Sequence, residues 1–352
     1  MNSWSPIRRL GAAQWPPKAT RPPVSANAIA SHLVQVDKAP KDKQFERNVR
    51  DSWCKFCKLK DNNSPGPFTA DELVNALTCV KLGTAPGYDN IHPEFLKQLH
   101  PRGYDWLADF FAGVCHESQI PRMWKQAKVI ALEKNGKDPK LASSYRPISL
   151  LSVCFKLLER VALQRVSPTV GELLSSDQVA ALTKHIENGF QQKLKTGTVF
   201  LDLTAAYDTI WHTALLVKLS RCTEPWFVQL AELLLRKSHF RVHMESSTSS
   251  WRLQKNGLPQ RSVLAPTLLN LHTNDLPVTK CNRFTYVDDI CCAMQAKLSD
   301  ERSLTSDMEK KSQNIAGDRG WSWVRQKQCQ AYFTCTTRAM TRNWTSVWTD
   351  SG

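Results

Sequence analysis

The spacing of apolar positions divides the chain into segments of helical and extended character. A helical pattern rich in Lys and Arg runs from Ala26 to Leu59, and Thr69-Ala-Asp-Glu72 has the sequence of a capping box that starts another helix. Further helices are predicted at residues 93–99, 151–165, 212–220 and 226–235. Strands are predicted at 127–132, 198–203 and 240–244. This mixture predicts an α+β fold, and no internal repeat is visible.

Composition adds a strong excess of positive charge. The chain has 47 Lys and Arg against 32 Asp and Glu, a net charge of +15 that is spread along its length. Dispersed positive charge suits a nucleic-acid phosphate backbone, although a merely basic surface is the alternative. No run of about 18 apolar residues exists, so no membrane span is expected. Eleven cysteines without framework spacing, and no secretion signal, predict an intracellular protein with reduced thiols.

Two segments carry carboxylates where a strand ends or turns. In residues 198–208, Asp202 follows an apolar run, and a buried carboxylate costs several kcal/mol unless it is paired or binds a cation. In residues 284–293, Asp288 and Asp289 stand between two β-rich runs, which predicts a hairpin. Turns favour Asp, so a plain hairpin is the alternative for this segment alone. Together the three carboxylates predict phosphoryl transfer assisted by two Mg²⁺ ions about 3.5–4 Å apart.

These segments resemble the motifs of reverse transcriptases. Residues 198–208 look like polymerase motif A, and Tyr286-Val-Asp-Asp289 looks like the YxDD box. Residues 256–266 with 268–276 resemble the GxPQGSVLxPxLFNxYxxDLP motif that lies between them. Residues 145–149 with 156–160 resemble the fingers motif of LINE-type enzymes, and residues 83–91 match a loop that retroviral enzymes lack. From about residue 25 to 310, the order and spacing are similar to those of non-LTR, jockey-like retrotransposons.

The resemblance implies a right-hand polymerase fold of palm and fingers, with an antiparallel palm sheet packed on helices. It implies an RNA template, a DNA primer and deoxynucleoside triphosphates as partners. No membrane association is expected, and the sequence does not indicate a protein partner. Two Mg²⁺ ions, or Mn²⁺ instead, would be held by Asp202, Asp288 and Asp289. Tyr207 would exclude a ribonucleotide 2′-hydroxyl, and Gln260 would sit against the nascent base pair. Arg146 would contact the template or the incoming triphosphate.

The chain is accordingly divided into four consecutive segments. Residues 1–25 are expected to be a linker or tail, and 26–142 an N-terminal helical extension with the start of the fingers. Residues 143–312 would form the reverse transcriptase fingers and palm, and 313–352 an irregular tail. The thumb and the usual upstream endonuclease are expected to be missing. An active enzyme would work in the nucleus, although no clear import signal is found.

Three departures from the family pattern bear on activity. Arg261 stands where the family has Gly, so we expect its side chain to obstruct the template path, with a phosphate contact as the alternative. A GFRxGRS-like fingers segment is missing between Gln178 and Val179. After about Asn314 the family pattern ends. Back-translation of residues 328–337 with allowed codons lets a neighbouring reading frame read VSSVFHLHNT, which resembles the family's continuation, so we hypothesise a frameshift near residues 314–325. Two hypotheses follow: an RNA-directed DNA polymerase, or an inactive nucleic-acid-binding remnant of a transposable element.

Overall fold

A computed structural model describes residues 24–36, 43–58, 65–173, 178–203, 206–244, 247–274, 282–286, 289–296 and 324–333. For residues 36, 172–173, 178–179, 199–203, 283, 285–286, 289, 296 and 324–333 it describes the backbone only. These residues form a mixed α+β structure, which confirms the predicted fold class. No helix in these ranges is long and apolar enough to cross a bilayer.

Helices and strands are interspersed along the chain. The helices are α1 (Ala26–Val36), α2 (Lys43–Lys58), α3 (Ala70–Thr78), α4 (Pro93–Lys97), α5 (Pro101–His116), α6 (Val153–Leu173), α7 (Gln178–Gln191), α8 (Ala206–Thr209), α9 (His212–Cys222), α10 (Pro225–Leu235) and α11 (Ala265–Thr273). The strands are β1 (Gln126–Glu133), β2 (Tyr145–Leu150), β3 (Lys195–Leu203), β4 (Ser238–Met244), β5 (Ser247–Thr248), β6 (Arg252–Gln254), β7 (Asn282–Tyr286), β8 (Asp289–Ala296) and β9 (Val324–Phe333).

Local sequence signals account for several of these boundaries. The Thr69 hydroxyl accepts the Glu72 N–H, and the Glu72 carboxylate accepts the Thr69 N–H, so the predicted capping box starts α3. Proline occupies the first turn of α4, α5 and α10, where its missing N–H has no intrahelical partner to lose. The single helical pattern predicted over residues 26–59 forms two helices, α1 and α2.

The chain folds into two compact units that interleave along the sequence. The first unit comprises residues 1–38, 50–170 and 207–268, and the second comprises residues 39–49, 171–206 and 269–352. The four consecutive segments drawn from the sequence do not follow this division, and their boundaries stay a prediction.

The first unit contains a sheet with strand order β2-β1-β4-β5, and β6 also pairs with β4. Strand β1 is antiparallel to β2 and parallel to β4. Helix α1 packs against β4, and α6 supplies a large part of the core with its buried face. Fully buried side chains in this unit include Leu73, Phe111, Leu157, Leu158, Phe227 and Leu258.

The second unit contains a four-stranded antiparallel sheet with order β7-β8-β3-β9. Helix α7 packs against β7 and β3. The apolar segment 290–293 of β8 is buried. Strand β3 is therefore an inner strand, hydrogen-bonded on both edges along most of its length.

Strand β9 lies within the segment 313–352. Val324–Phe333 form this strand and pair with β3, and the irregular tail expected for the segment stays a prediction. The sequence of this strand lacks the alternation of apolar and polar residues that predicts a half-buried strand. Strand formation depends on an available edge of a neighbouring strand as well as on the local sequence pattern. The edge of β3 opposite β8 is the edge with which β9 pairs.

Candidate active site

The carboxylate positions of the two acidic segments meet in the sheet of the second unit. Asp202 lies next to the last residue of β3, and Asp289 is the first residue of β8. The two are direct Cα partners in the antiparallel ladder. Asp289 is also the partner of Tyr286 at the end of β7, as the predicted hairpin requires. Asp288 lies outside the described residues. The backbone thus brings together two of the three predicted carboxylate positions.

The strands that carry these positions are backed by α7. The Gln295 side chain in β8 donates a hydrogen bond of 2.6 Å to the His185 carbonyl in α7, and the rings of His185 and Phe284 lie 5.7 Å apart. Gly189 leaves no room for a Cβ atom, which would lie 2.6 Å from the Gln295 and Thr196 side chains. Helix α7 therefore contacts β3 and both strands of the hairpin formed by β7 and β8, which we call the acidic hairpin.

No group of three or more His, Cys, Asp and Glu side chains within the described set is arranged to hold a metal ion. The carboxylates of Asp202, Asp288 and Asp289 are not part of that set.

The first unit holds Tyr207 and Gln260 on two segments that are joined through the backbone. Half-buried Tyr207 lies in α8, and its carbonyl accepts the Leu258 N–H at 2.6 Å. The Gly257 N–H donates to the Ile210 carbonyl at 2.7 Å, and the Gly257 carbonyl lies 2.6 Å from His212 Nε2. These contacts hold the segment before Gln260 against the segment that begins with Tyr207.

Gly257 makes this approach sterically feasible. Its φ of +77° lies in the left-handed region, and a Cβ atom there would be 2.7 Å from the Asp208 carbonyl oxygen. A side chain would meet both a conformational and a steric penalty, so this position requires glycine.

Gln260 is one of the residues that line an open cleft in the first unit. The cleft is lined by residues of α1, β1, β2, β4, β6 and the segment 256–260. Its apolar wall includes Val129, Phe240 and Leu258, and its polar groups include Asp208 and Gln260. Apolar walls with a few convergent polar groups are typical of sites that bind small molecules or bases.

Arg146 lies on the opposite face of the same sheet. It is exposed in β2, where its Cα partner is Leu132 of β1. Its chain neighbour Pro147 lines the cleft together with Ser149, and successive residues of a strand point to opposite faces. The structure therefore brings Gln260 to the cleft but does not bring Arg146 there.

Arg261 occupies a turn that favours glycine. The Ser262 N–H donates to the Pro259 carbonyl at 3.1 Å, which closes a four-residue turn with Arg261 at its third position. The φ of Arg261 is +67°, as in a type II turn, where Gly or Asn is usual. This backbone requirement explains why Gly suits the position, independently of any contact with a template.

Glu159 holds this turn in place and was not among the residues predicted from the sequence. Its side chain in α6 is 2% exposed, accepts a hydrogen bond from the Ser262 hydroxyl, and accepts the Val263 N–H at 2.8 Å. The Ser262 hydroxyl also accepts the Ala265 N–H at the start of α11. Burial raises the pKa of the Glu159 carboxyl to about 7, although these hydrogen bonds and the nearby Lys156 oppose the rise.

The glycine-bearing loop 83–91 is tied to the start of α6. A Cβ atom on Gly87 would lie 2.5 Å from the Ser152 backbone nitrogen, and the Ser152 hydroxyl donates to the Asp89 carboxylate. The Tyr88 hydroxyl is 2.7 Å from His243 Nε2 in β4. The loop thus connects α6, the helix that carries Glu159, to the sheet whose residues line the cleft.

More than half of the chain matches a known protein family. Residues 132–317 match the family model described as reverse transcriptase (RNA-dependent DNA polymerase). The chain belongs to the reverse transcriptase family. The match contains all six residues predicted from the sequence as site residues, together with Glu159 and Arg261.

Three of the similar relatives come from mobile elements of Drosophila. The chain is 31% identical over 258 residues to the "Probable RNA-directed DNA polymerase from transposon BS" of Drosophila melanogaster, which covers 67% of the chain and 28% of that protein. It is 30% identical over 261 residues to the "RNA-directed DNA polymerase from mobile element jockey" of the same species, covering 65% of the chain and 28% of the relative. The jockey polymerase of Drosophila funebris is 29% identical over 232 residues, covering 60% and 25%.

These relatives confirm the resemblance to jockey-like, non-LTR retrotransposons. The chain spans between 25% and 28% of the length of the three relatives. What the whole reverse transcriptases act on is therefore carried to this chain only as a proposal.

Proposed function

We propose that the chain is the polymerase portion of a non-LTR retrotransposon reverse transcriptase. It copies an RNA template into DNA by adding deoxynucleoside triphosphates to the 3′-hydroxyl of a DNA primer. The observation that carries the proposal is the pairing of Asp202 with Asp289 in a reverse transcriptase chain. Its place of action would be the nucleus, where chromosomal DNA supplies primers.

The donor chemistry supports two Mg²⁺ ions, with Mn²⁺ as the alternative, held by Asp202, Asp288 and Asp289. Carboxylate oxygens are the ligands that Mg²⁺ prefers. Directly paired residues of an antiparallel ladder have Cα atoms about 4.5–5.5 Å apart, so two carboxylates there can share a cation. Bound Mg²⁺ supplies Lewis acidity that activates the primer hydroxyl and stabilises charge on the leaving pyrophosphate.

The remaining predicted residues act on substrate position. Tyr207 excludes a 2′-hydroxyl from the incoming nucleotide, and the support for this role is its location five residues after Asp202. Gln260 contacts the nascent base pair, and the support for this role is its place among the residues that line the cleft. Arg146 contacts the template or the triphosphate through the exposed face of the sheet.

Primer extension on an RNA template tests the proposal. With Mg²⁺ present, we expect Asp288→Asn to reduce incorporation by about a hundredfold or more, because it removes a charged metal ligand. Asp105→Asn, an exposed carboxylate on α5, is the matched control and should leave incorporation unchanged.

Incorporation that Asp288→Asn does not alter would remove this residue from the site. A wild-type chain that binds an RNA–DNA duplex in a salt-sensitive way without any incorporation would instead favour the inactive remnant.

A further inference from the structure

Three cationic residues of the first unit are brought together by the contacts of Glu159. Lys156 and Arg160 are four positions apart on α6, one turn of the helix, and flank Glu159. The carboxylate of Glu159 binds Ser262 and Val263, the residues that immediately follow Arg261. We call Lys156, Arg160 and Arg261 the cationic cluster.

The cationic cluster consists of three basic side chains around the single carboxylate of Glu159. Burial lowers the pKa of the Lys156 ammonium, and the charges of Arg261 and Arg160 lower it further, against the opposing effect of Glu159. The Glu159 carboxyl is already engaged by Ser262 and Val263, and its raised pKa leaves its charge incomplete near neutral pH. The cluster therefore repels itself and attracts an anion.

A buried donor in the cationic cluster also lacks an acceptor. Arg160 Nε is shielded from solvent and has no hydrogen-bond partner among the described residues. Buried N–H groups without a partner are uncommon in folded proteins and each calls for an explanation. An anion bound at the cluster would supply the missing acceptor.

Arg261 is the exposed member of the cationic cluster. It lies one residue after Gln260, and the positive φ of its backbone fixes it at the third position of the turn. A guanidinium in this position has five donors in a planar fork that matches the oxygen atoms of a phosphate.

We propose that Lys156, Arg160 and Arg261 form a binding site for a phosphate group of the nucleic acid or nucleotide that occupies the cleft beside Gln260. Arg261 then holds the substrate instead of obstructing its path. The inference rests on the proposed function only in requiring that the chain binds nucleic acid or nucleotides, and it does not require incorporation.

Equilibrium binding of fluorescent single-stranded RNA and of an RNA–DNA hybrid, measured by anisotropy over a series of salt concentrations, tests the site. Arg261→Asn removes the charge but tolerates the positive φ. We expect this variant to bind roughly fivefold more weakly and to lower the slope of log K against log salt by about one, the loss of one phosphate contact. Lys156→Gln should have a similar effect.

The controls separate charge from backbone conformation and from general basicity. Arg261→Lys keeps a positive charge and should retain most of the salt slope. Arg261→Gly relaxes the backbone and removes the charge, so it should resemble Arg261→Asn. Arg102→Gln removes an exposed charge in the first turn of α5, outside the cationic cluster, and should leave affinity and slope unchanged. The thermal melting temperature of each variant verifies folding.

Competition by a deoxynucleoside triphosphate distinguishes the two sources of phosphate. Loss of salt slope with RNA assigns the site to the backbone, whereas loss of competition alone assigns it to the triphosphate. Binding by Arg261→Gly and Arg261→Asn that equals or exceeds the wild type in both assays overturns the inference in favour of obstruction. A wild-type chain without salt-dependent binding in either assay would refute the proposed function as well as this site.

Discussion

Glu159 shows how one buried group can organise a loop that is distant in sequence. Its carboxylate lies on α6, while the two groups that donate hydrogen bonds to it lie more than a hundred residues later, at Ser262 and Val263. Removing one partner of a buried hydrogen-bonded carboxylate leaves the other unsatisfied. The position of the turn 259–262, which contains Gln260, therefore depends on a residue of α6.

The raised pKa of Glu159 makes its contribution to stability depend on pH. The carboxyl has a pKa of about 7 in the folded state and an ordinary value of 4.5. Between these values the folded state binds the proton and the unfolded state releases it, so the free energy of unfolding falls as pH rises through this window. Below 4.5 this loss is absent, and above about 7 it is complete, at roughly 3 kcal/mol.

Chemical denaturation of the wild type and of Glu159→Gln from about pH 5 to about pH 8 measures this effect. We expect the stability of the wild type relative to the variant to decrease over that range, because glutamine does not titrate. Glu117→Gln, on the exposed surface at the end of α5, is the matched control. Parallel stability curves for the wild type and Glu159→Gln would contradict the prediction.

The sequence carried a signal for Glu159 but not its explanation. Glu159 lies four positions after Phe155 and three before Ala162, within the apolar face predicted for this helix. A carboxylate there requires buried partners, but helical spacing cannot identify them across a hundred residues. The strain at Arg261 was hidden for a related reason, because the φ of a turn depends on the hydrogen bond that closes it.

At the level of elements, two backbone hydrogen bonds hold residues 207–210 against the segment that leads into Gln260. Local rules predicted the elements themselves, such as the capping box of α3. They did not predict the tertiary contacts that hold these elements. Arg165 of α6, for example, lies 2.6 Å from the Glu72 carboxylate and 4.3 Å from the centre of the Phe68 ring.

Two glycines with similar φ values separate conformation from close packing. Gly257 has a φ of +77° and backbone atoms within 3 Å of a built Cβ, whereas Gly136 has a φ of +74° and open space. We expect Gly136→Ala to lower the free energy of unfolding by roughly 1 kcal/mol, from the backbone conformation alone. Gly257→Ala should lower it by about 3 kcal/mol or more, since Tyr207 and Asp208 must also move.

Urea denaturation of the two alanine variants measures the difference. Equal losses of stability would mean that α8 and the Gln260 segment separate at little cost, and that their connection does not position the site. A larger loss for Gly257→Ala supports a rigid connection between residues 207–210 and the segment that leads into Gln260.

At the scale of the whole molecule, the class of fold and the acidic hairpin were predictable, whereas the complete sheet was not. Pairing of the two carboxylate positions involves the hairpin and a strand with Asp202 next to its end, and both were visible in the sequence. Strand β9 was not visible, because Val-Arg-Gln-Lys-Gln-Cys-Gln has no strand-like alternation. Its pairing partner β3 supplies the hydrogen bonds that its own pattern does not predict.

The pairing of β9 predicts that the C-terminal segment protects the strand that carries Asp202. Deleting residues 313–352 would remove β9 and leave one edge of β3 unpaired, and open edges exchange amide protons and promote association. We therefore expect faster amide exchange in residues 196–203 and oligomers in size-exclusion chromatography. Deleting only residues 334–352 keeps β9 and is the matched control, so it should leave both measurements unchanged. If the longer deletion behaves like the full chain, residues 324–333 do not pair with β3 in solution.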